Sequence, residues 1–319
     1  MAQALFMLLR RQDSEVIIDV LAPAWVSGVL ARMPEVRQMI PFASRHGKLD
    51  LLMRIRTGLR LRKQAYDEAI IMPRSLKSVL PSWFAGIPRR IGLAANLGLV
   101  NDVRRFSRSR QELFVRRYLV LGDSQANDMD WNDIPRPALT IDEDNRQALL
   151  KEYRLEAGRF VAFAPGAEFG PAKQWPLSYF SELVGLINQN GMKVVVFGSP
   201  KEKALGDKIL VDQQQGGNLN LCGLTSLPDV IDLSSAARAV VANDSGLMHL
   251  AYAAGATTIA IYGSSSSAYT PPLSDSAVIL ESEMSCRPCF GRTCQYGHYN
   301  CLRAVSAADV YREIYGSAA

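Results

Sequence analysis

No apolar run in the 319-residue sequence reaches the roughly 18 to 20 residues needed to cross a bilayer, so the chain is not expected to span a membrane. The apolar opening, MAQALFMLL, is followed rather than preceded by the charges of Arg10 and Arg11. No small-residue cleavage site comes after it, which argues against a signal peptide. Cysteine is scarce and odd in number, at 5; without an export signal this predicts reduced thiols in a cytoplasmic setting and no disulfides. A Walker A pattern is missing, as is G-x-G-x-x-G after a strand, which counts against a P-loop NTPase and a dinucleotide dehydrogenase. There is no tandem repeat at a fixed period, and the one low-complexity tract, Ser264–Ser267, is too short to matter.

What is present is a globular composition, 48% hydrophobic and 21% charged, on a chain long enough for two medium α/β domains. Charge is unevenly divided. Residues 1–136 carry 22 Lys and Arg against 13 Asp and Glu, and residues 137–319 carry 14 against 18. A basic half of this kind suits nucleic acid, an anionic membrane surface or a phosphorylated substrate, and it is equally what a solvated surface can look like.

Short apolar runs closed by proline or polar residues predict strands at Val16–Leu21, Val36–Ile40 and Asp67–Met72. Helical spacing covers residues 47–65 and 75–85. That alternation means a parallel sheet with crossover helices. The polar, acidic, proline-bearing run from Gly122 to Pro137 reads as an interdomain linker, which puts the domains at 1–136 and 137–319. The second half alternates again. Strands are expected at Phe160–Ala164, Lys193–Phe197, Leu219–Cys222, Ala239–Asn243 and Thr257–Tyr262, separated by helices from about Asp142 and over 176–190, 200–213, 227–236 and 246–254. This is a second doubly wound sheet. The chain opens directly in a helix, Ala2–Arg11, where a domain of this kind would ordinarily open with a strand.

In an open α/β sheet, ligands bind beyond the carboxyl ends of the strands, which is where Asp244, Ser245 and Gly246 fall. Ser245 is a candidate N-cap, Gly246 allows a bound group to approach the backbone, and the next helix offers unpaired N–H groups and a positive dipole end suited to a diphosphate. Asp244 would be repelled by phosphate, so it is expected to accept from sugar hydroxyls or brace the turn. His249, one turn on, is a candidate donor to a phosphate or sugar oxygen. An ordinary capped helix with a packed histidine would show the same residues. The loop PGAEFGPAKQWP, Pro165–Pro176, leaves another strand's carboxyl end and carries Lys173, a movable cation for phosphate. Thr225 borders the same edge. Ser199 and Glu202 have capping-box spacing, so Glu202 is assigned to structure, and Ser226 is a candidate cap for its own helix.

Cys286, Cys289, Cys294, His298 and Cys301 fall within sixteen residues. Zinc accepts such ligands, but there is a single C-x-x-C pair, and neighbouring reduced cysteines also pack tight loops. A nucleic-acid-binding zinc knuckle is disfavoured because the cluster lies in the acidic half.

Three segments, PGAEFGPAKQWP (165–176), NDSGLMHL (243–250) and SCRPCF (285–290) with Cys294, Gly297, His298 and Cys301, closely resemble the lipopolysaccharide heptosyltransferase II family of glycosyltransferase family 9. In the first half the similarity runs through IDVLAPAW (18–25), RMPEV (32–36), SLKSV (75–79) and AGIP (85–88). The resemblance implies a GT-B fold: two Rossmann-like domains facing a central cleft, the first binding acceptor and the second ADP-L-glycero-D-manno-heptose. It implies inverting transfer to the first heptose of the lipopolysaccharide inner core, at the cytoplasmic face of the inner membrane, with no cofactor and no catalytic metal. By the same resemblance Lys173 and Asp244 are the catalytic candidates, with Lys173 neutralising the departing diphosphate. Lys173, Thr225, Asp244, Ser245, Gly246 and His249 are the donor-site candidates, and Lys77, Arg89 and Arg90 are candidates for a phosphorylated acceptor. Family members carry a strand and a Gly-Asp turn ahead of the first helix, and that aspartate is the expected general base. Its absence from this sequence predicts either an upstream start or a defective relative that keeps only donor binding, and it leaves an unpaired edge or gap expected in the first sheet.

Overall fold

A computed structural model describes residues 1–43, 49–94, 96–106, 112–211 and 216–316. Two compact units divide at Met1–Pro135 and Arg136–Ala319.

The first unit runs α1 (Ala2–Gln12), β1 (Ile18–Ala22), α2 (Ser27–Leu30), β2 (Val36–Pro41), α3 (Leu51–Arg62), β3 (Glu68–Ile71), α4 (Leu76–Phe84), β4 (Arg89–Gly92), β5 (Asp102–Val103) and α5 (Arg116–Gly122). All pairings are parallel, as expected, but the strands form two separate sheets, β1–β2 and β3–β4–β5. What joins them is apolar packing: Leu5 and Phe6 of α1, Ile18 of β1, Ile91 of β4 and Leu121 of α5 share one buried cluster. β1 is further fixed by Asp19, whose side chain is 1% exposed and accepts from Arg37 at 2.5 Å, Gln38 at 2.8 Å and Tyr66. Glycine sets the approach of α3 to α4, because a Cβ at Gly58 would come within 2.7 Å of the Pro81 carbonyl oxygen.

The second unit runs α6 (Glu143–Glu152), β6 (Phe160–Ala164), α7 (Leu177–Gln189), β7 (Lys193–Val196), α8 (Lys203–Leu210), β8 (Leu219–Asn220), α9 (Leu227–Ala236), β9 (Ala239–Asn243), α10 (Gly246–Ala253), β10 (Thr258–Tyr262), β11 (Val278–Glu281), α11 (Asn300–Arg303) and α12 (Ala307–Tyr315). Every residue of β6, β9 and β10 is buried, because helices cover both faces of a parallel sheet and no alternation is needed. α7 buries Phe180, Leu183, Val184 and Ile187 at helical spacing against that sheet. Capping boxes start α9 at Ser226 and α12 at Ser306, and a third, Ser199 with Glu202, opens the turn before α8, as its spacing predicts.

Strand order in this sheet is β11-β10-β9-β6-β7-β8, all parallel. Counted within the unit this is the doubly wound dinucleotide-fold order, in which the winding reverses between β6 and β9. Crossovers leave those two strands in opposite directions, so a crevice opens beyond their carboxyl ends. Among the described residues no helix is long and apolar enough to cross a membrane.

Candidate functional site

The crevice beyond β6 and β9 receives both loops that the sequence singles out. Its frame is Asn243, the last residue of β9, which is fully buried. The Asn243 carboxamide donates to the Pro165 carbonyl at 2.8 Å and accepts from the Trp175 N–H at 3.0 Å, so one side chain holds both ends of the Pro165–Trp175 loop. Trp175 is itself fully buried; its indole donates to the Val305 carbonyl at 2.8 Å and stacks edge-on against Phe180. Within this pinned loop a single 3-10 turn, Pro171–Lys173, presents Lys173.

Lys173 meets Asp244. The ammonium lies 2.5 Å from Asp244 Oδ2, with the two side chains 17% and 5% exposed. Thr270 Oγ1 sits 3.4 Å from Asp244 Oδ1, and the Thr270 carbonyl accepts from the buried Tyr262 hydroxyl at 2.7 Å. Asp244 thus braces the turn and orients a cation, one of the two roles its sequence position allows. The Lys173 ammonium also lies 5.1 Å from the centre of the Phe169 ring, within cation–π range.

Beside this pair α10 begins. Ser245 is its N-cap by backbone conformation but makes no side-chain capping bond, and a Cβ built at Gly246 would meet nothing within 4 Å. There is therefore open space beside Gly246 at the start of the helix, and the helix dipole adds a partial positive charge there. His249 Nδ1 lies 3.3 Å from the Tyr252 hydroxyl. Burial is the chief cause that lowers its pKa to about 3; Asp244 pulls the other way, and the Lys173 charge contributes least, so the ring is neutral at ordinary pH and can act only as a hydrogen-bond partner.

Lys173, Asp244, Ser245, Gly246 and His249 are thus brought to one stretch of the sheet edge. Thr225 lies beyond β8, two strands from β6, and its hydroxyl donates to the Leu221 carbonyl at 3.4 Å. Glu202 accepts from the Ser199 N–H at 2.7 Å, as its capping assignment requires, and packs so closely on Gly166 that no Cβ fits there. The sequence reading missed Asn243 and Thr270 as members of the site. The signal for Asn243 was an amide at the very end of an apolar strand; Thr270 had none.

In the first unit, Lys77 lies in the first turn of α4, just after the carboxyl end of β3. Arg89 and Arg90 do not join it. They open β4, at the amino edge of the sheet, where Arg89 bridges Glu68 at 2.7 Å and Asp102 at 2.8 Å. Arg90 donates to the carbonyls of Leu99, at 2.6 Å, and Ile87. Arg89 thus ties β4 to both neighbouring strands, and Arg90 is engaged with the carbonyls of the segments that flank β4. The cysteines are all free thiols, and among the described residues no three His, Cys, Asp or Glu side chains already form a metal-holding group.

Parallel α/β units, one of them presenting a cation beside a helix N-terminus at its switch point, are the build of a GT-B glycosyltransferase. The comparisons agree. The model of glycosyltransferase family 9 (heptosyltransferase) matches residues 54–300, and the chain belongs to that family. It is 40% identical over 290 residues to lipopolysaccharide heptosyltransferase 2 of Escherichia coli K12, covering 88% of this chain and 83% of that protein. Lipooligosaccharide heptosyltransferase 2 of Haemophilus influenzae is 39% identical over 292 residues, with 88% and 84% covered. The structure of the Escherichia coli ADP-heptose heptosyltransferase II superimposes with a TM-score of 0.86 at 36% identity, over 98% of this chain and 93% of that one.

Proposed function

We propose that this protein transfers L-glycero-D-manno-heptose from ADP-heptose to the first heptose of the lipopolysaccharide inner core, with inversion at the anomeric carbon. The observation that carries the reading is the Lys173–Asp244 pair set beside the open N-terminus of α10 at the switch point. A diphosphate is the group that such a place suits, since backbone N–H groups and an ammonium meet its charge while Gly246 leaves room for it. As the acceptor hydroxyl attacks the anomeric carbon and gives up its proton to solvent, the bond to the diphosphate oxygen breaks and negative charge gathers on ADP. Donors already aimed at that oxygen stabilise the departure. Asp244 keeps Lys173 in place and leaves lone pairs for heptose hydroxyls, and neutral His249 adds a polar contact without a second charge.

Acceptor binding falls to the basic first unit, where Lys77, Arg89 and Arg90 are the candidates and Lys77 is the one at a carboxyl edge. The excess of cations in residues 1–136 supports a phosphorylated acceptor met at a membrane surface, with the protein peripheral to it on the cytoplasmic side. Release of ADP from ADP-heptose, measured with the purified 319-residue chain and heptosylated acceptor, tests the reading. Acceptor-dependent ADP release is expected. Donor binding without release would identify a chain that retains only the donor site, and neither binding nor release would overturn the proposal.

A further inference from the structure

Four of the five cysteines fall between the end of β11 and the first turn of α11, in the spacing C-x2-C-x4-C-x6-C, three in the loop and Cys301 in the helix. Cys286, Cys289, Cys294 and Cys301, with His298, line one cavity of about 20 Å³. That is room for a single atom or small ion and for no organic ligand. Packing of reduced thiols is the simplest alternative, and the backbone goes beyond what packing requires. The chain takes left-handed backbone at two residues with side chains, Phe290 after Cys289 (φ 53) and Tyr299 before Cys301 (φ 51). Conformations of that kind persist where surrounding structure over-determines them, characteristically at ligand clamps.

His298 is turned away from the ligand role. Its Nδ1 accepts the Asn300 N–H at 3.0 Å and lies 4.0 Å from the Cys294 sulfur. Four sulfurs remain. We infer that Cys286, Cys289, Cys294 and Cys301 close around one thiophilic divalent ion, zinc or iron, in a tetrahedral structural site. All-thiolate tetrahedral sets select these ions over harder ones. The four thiols are not gathered at ligating distances in the described structure, so side-chain rotation accompanies binding.

Such an ion would stiffen more than its own loop. The Arg292 carbonyl accepts from the Ala172 N–H at 3.0 Å, and a Cβ at Gly170 would lie 2.4 Å from the same oxygen. Ser264 ties the two segments from the other side, donating through its N–H to Ala172 at 2.9 Å and through its hydroxyl to Gly291 at 2.9 Å. The cysteine loop thereby clasps the turn that carries Lys173. This consequence rests on the proposed donor site; the metal site itself does not.

The test is elemental analysis of the full chain purified under reducing conditions without chelator, followed by cobalt(II) addition to the stripped protein. One equivalent of zinc or iron per chain is expected, the more abundant element identifying the ion, together with the visible bands of a tetrahedral cobalt thiolate. Cys289→Ser, at the exposed thiol, should take both signals to background; if that variant fails to fold, the wild-type measurements decide alone. Less than one ion in ten chains with no cobalt band, and four titratable thiols in this segment, would overturn the site. Stripping the ion should also weaken ADP binding several-fold. An unchanged ADP affinity alongside confirmed metal loss would overturn the coupling to Lys173 and leave the metal site standing.

Discussion

Lys173 and Asp244 stand 71 residues apart in the chain and 2.5 Å apart in the fold. Each depends on the other: the carboxylate is almost wholly buried and needs a counter-charge, while the ammonium needs an anchor to point toward a diphosphate. Lys173→Ala is therefore expected to weaken ADP-heptose binding about 10- to 100-fold, the loss of one charge-assisted contact. Isothermal calorimetry would measure it, and an unaltered dissociation constant would reject the assigned role.

The same pair predicts non-additive stabilities. Lys173→Ala alone strands a buried carboxylate, a loss of up to about 3–5 kcal/mol for a fully buried pair and less here because Lys173 is 17% exposed. Adding Asp244→Ala removes the stranded charge. A double-mutant cycle in urea should then show a coupling of about 0.5–3 kcal/mol. Simple additivity would mean that the pair does not form in solution.

Asn243→Ala should disturb the site without touching ligand. It leaves the Pro165 carbonyl and the buried Trp175 N–H without their partner, a loss of about 1–3 kcal/mol for each group left unsatisfied. The Lys173 loop is freed at both ends, so donor affinity should fall together with the denaturation midpoint. A variant as stable as the parent, with unchanged ADP binding, would show that the loop is held by something else.

Asp19 supplies a pH prediction. Burial raises its pKa, but hydrogen bonds from Arg37, Tyr66 and Gln38 outweigh that and hold it below the ordinary 3.8, while Tyr66 is pushed up to about 12. As pH falls through 3.8 the unfolded chain takes up this proton first, so the stabilisation present above that value is lost progressively toward the lower folded pKa. Asp19→Asn should be less stable at neutral pH and show a flatter decline on the acid side. Acid titration followed by circular dichroism distinguishes the two, and parallel curves would exclude the linkage.

Elements whose signals are local were legible. Phe160–Ala164, Ala239–Asn243 and 227–236 coincide with β6, β9 and α9 to the residue, because a strand covered on both faces is a continuous apolar run and Ser226 marks the start of its helix. By contrast β4 opens on Arg89 and Arg90, which in sequence resemble free surface cations; only the neighbouring Glu68 and Asp102 tie Arg89 into the sheet, and only the Leu99 and Ile87 carbonyls engage Arg90. β11 is an edge strand half open to solvent, and its weaker alternation leaves little to read. For α12 the capping signature at Ser306 and Asp309 was available, while the run 307–315 buries one narrow face.

The candidate site divides in the same way. Its parts, a lysine in a proline-flanked loop and a polar turn before a helix rich in small residues, were present in the sequence together with their place at strand ends, since caps, turns and periodicity act over a few residues. That the lysine is held by Asp244, that Asn243 clamps the lysine's loop, and that Arg89 bridges two neighbouring strands were decided by which strands lie side by side. Strand order is set by packing across the whole sheet, a long-range property that local patterns do not encode.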